Sequence, residues 1–468
     1  MAISASQNGT DVAALLKTAP DKYISLGDLL KYNKPDNRDL LIQTYGDQGI
    51  TGFLQLTGAT RSAGTSDEVQ YWEEGRLHKT VTISAGGIDN SATSSSATGH
   101  FTVAGYTEGT DQPVRLNDVL MSPGGQRLVV VGLDDTAEEI DLVTMDGEPL
   151  ELEDSATKCI VIGNIYAQGT GQPNEFYQTD VTKRVNPFLI TKETYHVNGS
   201  QATNIGWINV GNGDYRWYVK GEMDTRKRFM NQREMMMLFS QKVADTATAN
   251  EDNITIDGGK VTGSEGYFAA IEDRGITTTG TFGSGAGLAD IDEIIFELDK
   301  QGAPSEYAMY VDNVTSLNID DMLAQGLATV GNGNTTAGLA GQFGAFNNDP
   351  NMAVNLGFKS FSRGGYTFHK HDWKLLNDPT LLGAFSSKPY KGAMVPMAQV
   401  ADAKTGVKAP ALEMNFKEAN GYSREMEHWV EGGGVLGFKT NDEDVAKFHY
   451  RSECNLITRA ANQHVALK

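Results

Sequence analysis

Apolar positions repeat at helical spacing in a few stretches of this chain and elsewhere form short alternating runs between glycines. The clearest helical stretch is "DTRKRFMNQREMMMLFSQKVADTAT", residues 224–248. Phe229, Met236, Phe239 and Val243 fall there at steps of 7, 3 and 4, which stacks them on one helix face. Asp224 is the expected N-cap. Met230, Met235 and Leu238 broaden the stripe, so at least one side is expected to pack against protein. A helix of about 20 residues spans about 30 Å.

Residues 1–45 read as an arm. "TDVAALLK", "SLGDLLKY" and "PDNRDLLIQTYG" are short helical pieces with leucine pairs, Ser25 and Asp36 standing where N-caps would be. From "GITGFLQLTGAT" onward the pattern turns to strands. Residues 68–85, "EVQYWEEGRLHKTVTISA", alternate as an extended ribbon would, and a polar linker follows at 86–99. Residues 100–168 hold five short strands between Pro-Gly-Gly, Asp-Asp and Asp-Gly turns, the spacing of a small barrel or sandwich. "TNIGWINVG" and "DYRWYVKGEM" are expected to form a hairpin across Gly211-Asn212-Gly213 that leads into the long helix.

The second half has an α/β rhythm. "ADIDEIIFELDKQGAP" reads as a helix with Asp290 and Glu293 as a capping box and Gly302 with Pro304 as the stop. The strand "EYAMYVDN" and the helix "SLNIDDMLAQG" come next, then a glycine-rich loop at 326–344 and a hairpin turning at Gly364-Gly365. Strands return at "ALEMNFKE", "REMEHWVEGGGVLGFK" and "DVAKFHYRSECNLI". No fixed-period repeat is visible.

Composition narrows the classes. The 468 residues are 39% hydrophobic and 21% charged, which is globular chemistry with length for several cores. Fifty-two glycines against 13 prolines favour turns and strands over long helices. With 39 basic and 60 acidic residues the net charge is −21, so the chain as a whole is not a nonspecific nucleic-acid binder. Within Asp224–Asp245 the basic surplus is only two, too small for a DNA reader, and the methionines suit a packing face. Cys159 and Cys454 alone make neither a disulfide framework nor a thiolate metal site. A secretion signal and an apolar run near 18 residues are both lacking, which leads to the expectation of a chain made and kept in the cytoplasm, with no membrane.

Motifs for chemistry are few. "TVGNGNTTAG" (329–338) lacks the Gly-Lys-Ser/Thr ending of a phosphate loop. His369 and His371 share a strand face with Asp372 opposite, but a third metal ligand is not in sight. Asp442, Asp444 and Glu453 fit calcium-loop positions 1, 3 and 12, yet Lys447 stands where that loop needs glycine and Ala446 where it needs oxygen. The acid pairs Glu73-Glu74 and Glu138-Glu139 sit in charged surface context. The expectation is therefore no enzyme, with no catalytic, cofactor or metal residues.

The order of parts resembles the major capsid proteins of tailed double-stranded DNA bacteriophages, which share the Johnson fold (the Hong Kong phage type). The resemblance implies an α+β fold with residues 1–45 as N-terminal arm. Residues 46–99 and 169–222 would be the extended loop (E-loop), carrying an inserted small all-β domain at 100–168. Residues 223–288 would be the spine helix and following loop of the peripheral (P) domain, with Phe229, Met236, Phe239 and Val243 as the helix core face. An axial (A) domain would occupy 289–395, and 396–468, with "RSECNLITRAANQHVALK" at its end, the closing P-domain strands and tail. The same resemblance implies hexamers and pentamers in an icosahedral head shell around double-stranded DNA, assembled in the host cytoplasm. Its partners would be neighbouring subunits, scaffold, portal and decoration proteins, with DNA touched nonspecifically at most. A β-rich fibre or decoration protein, binding glycans through 100–168, is the alternative.

Overall fold

The computed structural model describes residues 60–88, 98–106, 113–134, 139–150, 152, 157–173, 177, 179, 181–203, 217–243, 255–256, 259–260, 263–283, 287–329, 360–397, 399–401, 408–437 and 439–468. The expected arm, most of the 86–99 linker, the turn at 211–213 and the loop after Thr329 lie outside them. The chain forms two units, one from the segments up to Gln70 and from Val185 onward, the other Tyr71–Arg184.

The first unit is organised by the 14-residue strand Val445–Thr458. One edge pairs antiparallel with Leu189–Asn198 along that strand's whole length, from Leu189 opposite Cys454 to Asn198 opposite Val445. The other edge is shared by Glu427–Gly432 and Leu412–Phe416, and Thr60–Ser62 runs parallel outside the latter. Helix α1, Trp217–Phe239, packs on this sheet through Phe229, which meets Ala446, Phe448, Tyr450 and Val435 in one apolar cluster.

Helix α2, Tyr267–Arg274, joins this sheet to a second one. Tyr267, Phe268 and Ile271 share a core with Met237 and Leu238 of α1, with Leu412, Met414 and Leu456 of the first sheet, and with Ala308, Tyr310, Val395 and Ala466 of the second. The second sheet has six strands in the order Ile276–Thr278, Val465–Leu467, Gly392–Pro396, Glu306–Val311, Tyr366–Asp372, Ser360–Arg363. Its other face is covered by α3, Leu288–Lys300, and α4, Asn313–Thr329, through Ile291, Ile294, Leu298, Ile319 and Met322. Covered on both sides, "EYAMYV" is buried at every position after Glu306, which explains its continuous apolar run.

Several local signals act differently from expectation. Helix α1 begins at Trp217, so Asp224 lies in its interior, paired with Lys220 one turn earlier, and 217–223 is not a strand. Tertiary packing overrides the β-propensity of Trp217, Tyr218 and Val219. A side chain on Gly221 would collide with the Tyr195 ring (2.6 Å to Cζ), so glycine lets the helix sit close on its sheet. On α3, Gly287 is the N-cap residue, and the Asp290 carboxylate instead accepts the Phe282 N–H at 3.2 Å. The stop forms as expected: Gly302 has φ +61° and the Ala303 N–H bonds the Leu298 carbonyl at 3.1 Å. Gly364 and Gly365, at φ +59° and +86°, turn the hairpin.

The second unit contains a closed barrel of six strands: Thr80–Ile88, Thr98–Val103, Glu139–Thr144, Arg127–Asp134, Asp118–Met121 and Thr157–Asn164. Inward positions Val81, Phe101, Leu120, Leu128, Ile140 and Cys159 fill it. The barrel thus begins before residue 100, because a barrel wall of this register needs Thr80–Ile88 to close it between Thr98–Val103 and Thr157–Asn164. Likewise Val465–Leu467 belongs to the six-stranded sheet with segments of 289–395, rather than closing the first sheet.

His464, fully buried beside that last strand, contacts the Tyr267 hydroxyl through Nδ1 at 3.1 Å. Burial drives its pKa down to about 3. Unfolded chains take up this proton below about pH 6.5 and the native state does not, so stability falls as pH drops from 6.5 toward 3. At pH 5 the loss is about 2 kcal/mol relative to pH 7. His464→Gln is expected to lower the melting temperature at pH 7 but to flatten its slope between pH 7 and 5; equal slopes would refute the assignment.

Candidate assembly surfaces

The two-stranded ribbon that leads into and out of the barrel is built from Glu68–Glu74 and Val181–Pro187. Its base is held by a buried amide. Asn186 Nδ2 donates to the carbonyls of Leu456 (2.8 Å) and Glu265 (3.1 Å), while Oδ1 accepts the Glu265 N–H (2.9 Å) and the Ser264 hydroxyl (3.0 Å). The Asn186 carbonyl accepts from Asn455 Nδ2 at 2.9 Å. Every polar atom of this amide is thus used, which fixes where the ribbon leaves the body. Lys417 pairs with Asp67 at the same base and holds its carboxyl below the ordinary range.

Farther out, Arg184 meets Glu73 at 3.2 Å and the Thr179 hydroxyl donates to Glu74 at 2.6 Å, so the acid pair Glu73-Glu74 braces the ribbon. Among the described residues the ribbon pairs with no third strand, and Trp72 stands 64% exposed on it. Open strand edges and an exposed indole are features of a surface that another chain covers.

The predicted helix face is distributed unevenly. Phe229 is buried and Phe239 is partly buried, stacked on Phe268 with ring centroids 5.0 Å apart. Met236 is 41% exposed, and Val243 lies beyond the helix end. These two are corrections. The buried positions run Thr225, Phe229, Arg233, Met237 in steps of 4 and add Glu234 and Leu238, because the first half of α1 rests on the sheet and the second half wedges against α2. Sequence periodicity missed Arg233, buried with its guanidinium donating to the Glu425 carbonyl at 3.0 Å.

A second exposed apolar set lies on the helices of the six-stranded sheet. Phe296 on α3 is 66% exposed, and Val314 and Leu317 at the start of α4 are exposed one turn apart. The signal was legible: Phe296 sits about 140° from the Ile291–Ile294–Leu298 stripe on a helical wheel.

Candidate chemistry does not converge. His371 stacks on Tyr310 and His369 lies within the Tyr366–Asp372 strand; Asp442 and Asp444 are exposed, whereas Glu453 is buried against Arg424. No group of His, Cys, Asp and Glu that could hold a metal occurs among the described residues. Cys159 and Cys454 are both buried thiols. Among the described residues no helix is long and apolar enough to cross a membrane.

No family model matches the sequence and no curated protein matches it. Solved structures do match. One named "Microbacterium phage Oxtober96" is 8% identical, covers 96% of this chain and 99% of its own, and gives a TM-score of 0.39. "Capsid structure of the Cyanophage P-SCSP1u" is 8% identical over 99% of this chain and 98% of its own, TM-score 0.38. "Capsid of empty GTA particle computed with C5 symmetry" is 7% identical over 94% and 96%, TM-score 0.37. TM-scores below 0.5 do not establish a shared fold.

Proposed function

We propose that this chain is a structural shell subunit, the major capsid protein of a tailed double-stranded DNA phage. The observation that carries this reading is the ribbon: two strands with both edges unpaired among the described residues, an exposed tryptophan, and a base locked by Asn186. A two-stranded ribbon is marginal alone in water, so it is stabilised when a neighbour covers it. The exposed Phe296, Val314 and Leu317 add a second apolar surface on a different element, as a subunit with several neighbours requires.

On this reading the ribbon is the E-loop, α1 the spine of the P-domain, and the six-stranded sheet with α3 and α4 the A-domain. The subunits form hexamers and pentamers of an icosahedral virion head assembled in the host cytoplasm, with scaffold, portal and decoration proteins as further partners. The role is structural, and the negative net charge of −21 keeps enclosed DNA from adhering to the wall.

Electron microscopy of the expressed protein, alone or with a scaffold, tests the reading: shells, capsomers or tubes are expected, and a monomer under every condition would refute it. Trp72→Asp should keep the wild-type circular dichroism spectrum and melting temperature while abolishing shells. Shells of normal yield from that variant would remove the ribbon from the assembly contacts.

A further inference from the structure

The barrel is packed inside, yet its outer wall is also apolar on one side. Outward positions on four neighbouring strands are Ile160 and Ile162, then Val119, then Val129, then Val143, with Met145 just beyond the last strand's end. The register makes them contiguous: Met121 stands opposite Ile160, Val119 opposite Val129, and Val129 opposite Val143. Ile162 and Met145 are each 50% exposed. A six-stranded barrel needs only its inward residues to be apolar, so this row is surplus to its own core.

The charges around the row are arranged diagonally. Lys158 precedes Ile160 on its strand, at the end of the wall where Met121 meets Arg127. Glu139 stands opposite Asp134, at the other end and on the far side. Ile162 and Met145 occupy the remaining two corners. Residues at opposite corners of one face exchange places when a second copy is applied about a twofold axis lying in the interface along the other diagonal.

We propose that this wall binds the same wall of a second copy of the chain. In that arrangement Lys158 of each copy meets Glu139 of the other, twice per pair, and Ile162 and Met145 meet their own counterparts on the axis. The two sets of strands cross at about 90°, one of the two ordinary angles of sheet-on-sheet packing. A second copy fits better than an unrelated partner because the charge pattern is complementary to itself. In a chain of net charge −21, such opposed pairs and a dry apolar centre are what offset the mutual repulsion of two copies. The inference deepens the shell-subunit reading by naming what covers the barrel.

The test uses the full-length chain and sedimentation velocity across a concentration series. Lys158→Glu and Glu139→Lys should each weaken self-association by about tenfold, since each variant sets like charges together at both ends of the pair. The double variant Lys158→Glu/Glu139→Lys should restore it, because the swap preserves complementarity only if the two residues face each other across copies. Ile162→Cys, next to the axis, should cross-link to itself under mild oxidant, whereas Lys158→Cys should not. Both native cysteines are buried. Self-association unaffected by the single variants, or a double variant that stays weak, would overturn the proposal. Microscopy of the same variants scores shells separately: shells that ignore every wall variant would leave the capsid reading standing and remove this one.

Discussion

Ala466→Asp should leave the chain without a folded six-stranded sheet, recovered only as aggregate. Ala466 is the middle residue of Val465–Leu467, an interior strand with Ile276–Thr278 on one side and Gly392–Pro396 on the other. Its methyl group points into the core shared by α1, α2 and both sheets, while Val465 and Leu467 point into the core under α3 and α4. An aspartate there buries a charge with no partner, at a cost of several kcal/mol. Net stabilities are only about 5–15 kcal/mol, and both cores depend on this strand. The control is Lys468→Ala, which removes a half-exposed pair with Glu272 and should cost under about 1 kcal/mol. Soluble yield and near-ultraviolet circular dichroism separate the two. An Ala466→Asp protein with wild-type yield and spectrum would mean that the terminal strand is not seated in the sheet.

That strand also marks the limit of what the sequence discloses. "HVAL" is too short to declare its partners, and pairing between residues nearly 190 apart, Ile276 with Val465, has no local signature. Elements whose own side chains decide their state were legible: α3 with its Gly302 stop, the strand at 306–311 and the Gly364-Gly365 turn. The barrel strands were legible too, except Thr80–Ile88, whose membership is set by closure of the wall rather than by its own residues. Helix α1 was visible as a helix but not in its start, because packing of Gly221 on Tyr195 outweighs the β-propensity of Trp217, Tyr218 and Val219. For the surfaces, exposure of Phe296 follows from a helical wheel, whereas the Asn186 node does not follow from anything local. An asparagine near a proline reads as a turn residue, and only the fold brings Ser264, Glu265 and Leu456 to it.

The three consecutive methionines of α1 offer the second large effect. Met237→Asp should unfold the chain, while Met236→Asp, its neighbour, should change stability by less than about 1 kcal/mol. Met237 is buried, its sulfur 3.7 Å from the Cys454 thiol and surrounded by α2 and the first sheet, whereas Met236 projects to solvent. Spacing alone favours Met236, since a step of 7 from Phe229 returns almost to the same side of a helix. The structure selects Met237 because the buried face turns along α1, from the sheet under Phe229 to the crevice beside α2. Phe229→Ala calibrates the scale: it empties a site packed on Phe448 and Tyr450 and should cost about 3–5 kcal/mol. Denaturant unfolding of the three variants ranks them. Equal loss from Met236→Asp and Met237→Asp would mean that solvent does not reach Met236, and would place a further buried contact on that side of the helix. Wild-type stability for Met237→Asp would instead dissolve the core that joins the two sheets, and with it the role of α1 as the element holding them together.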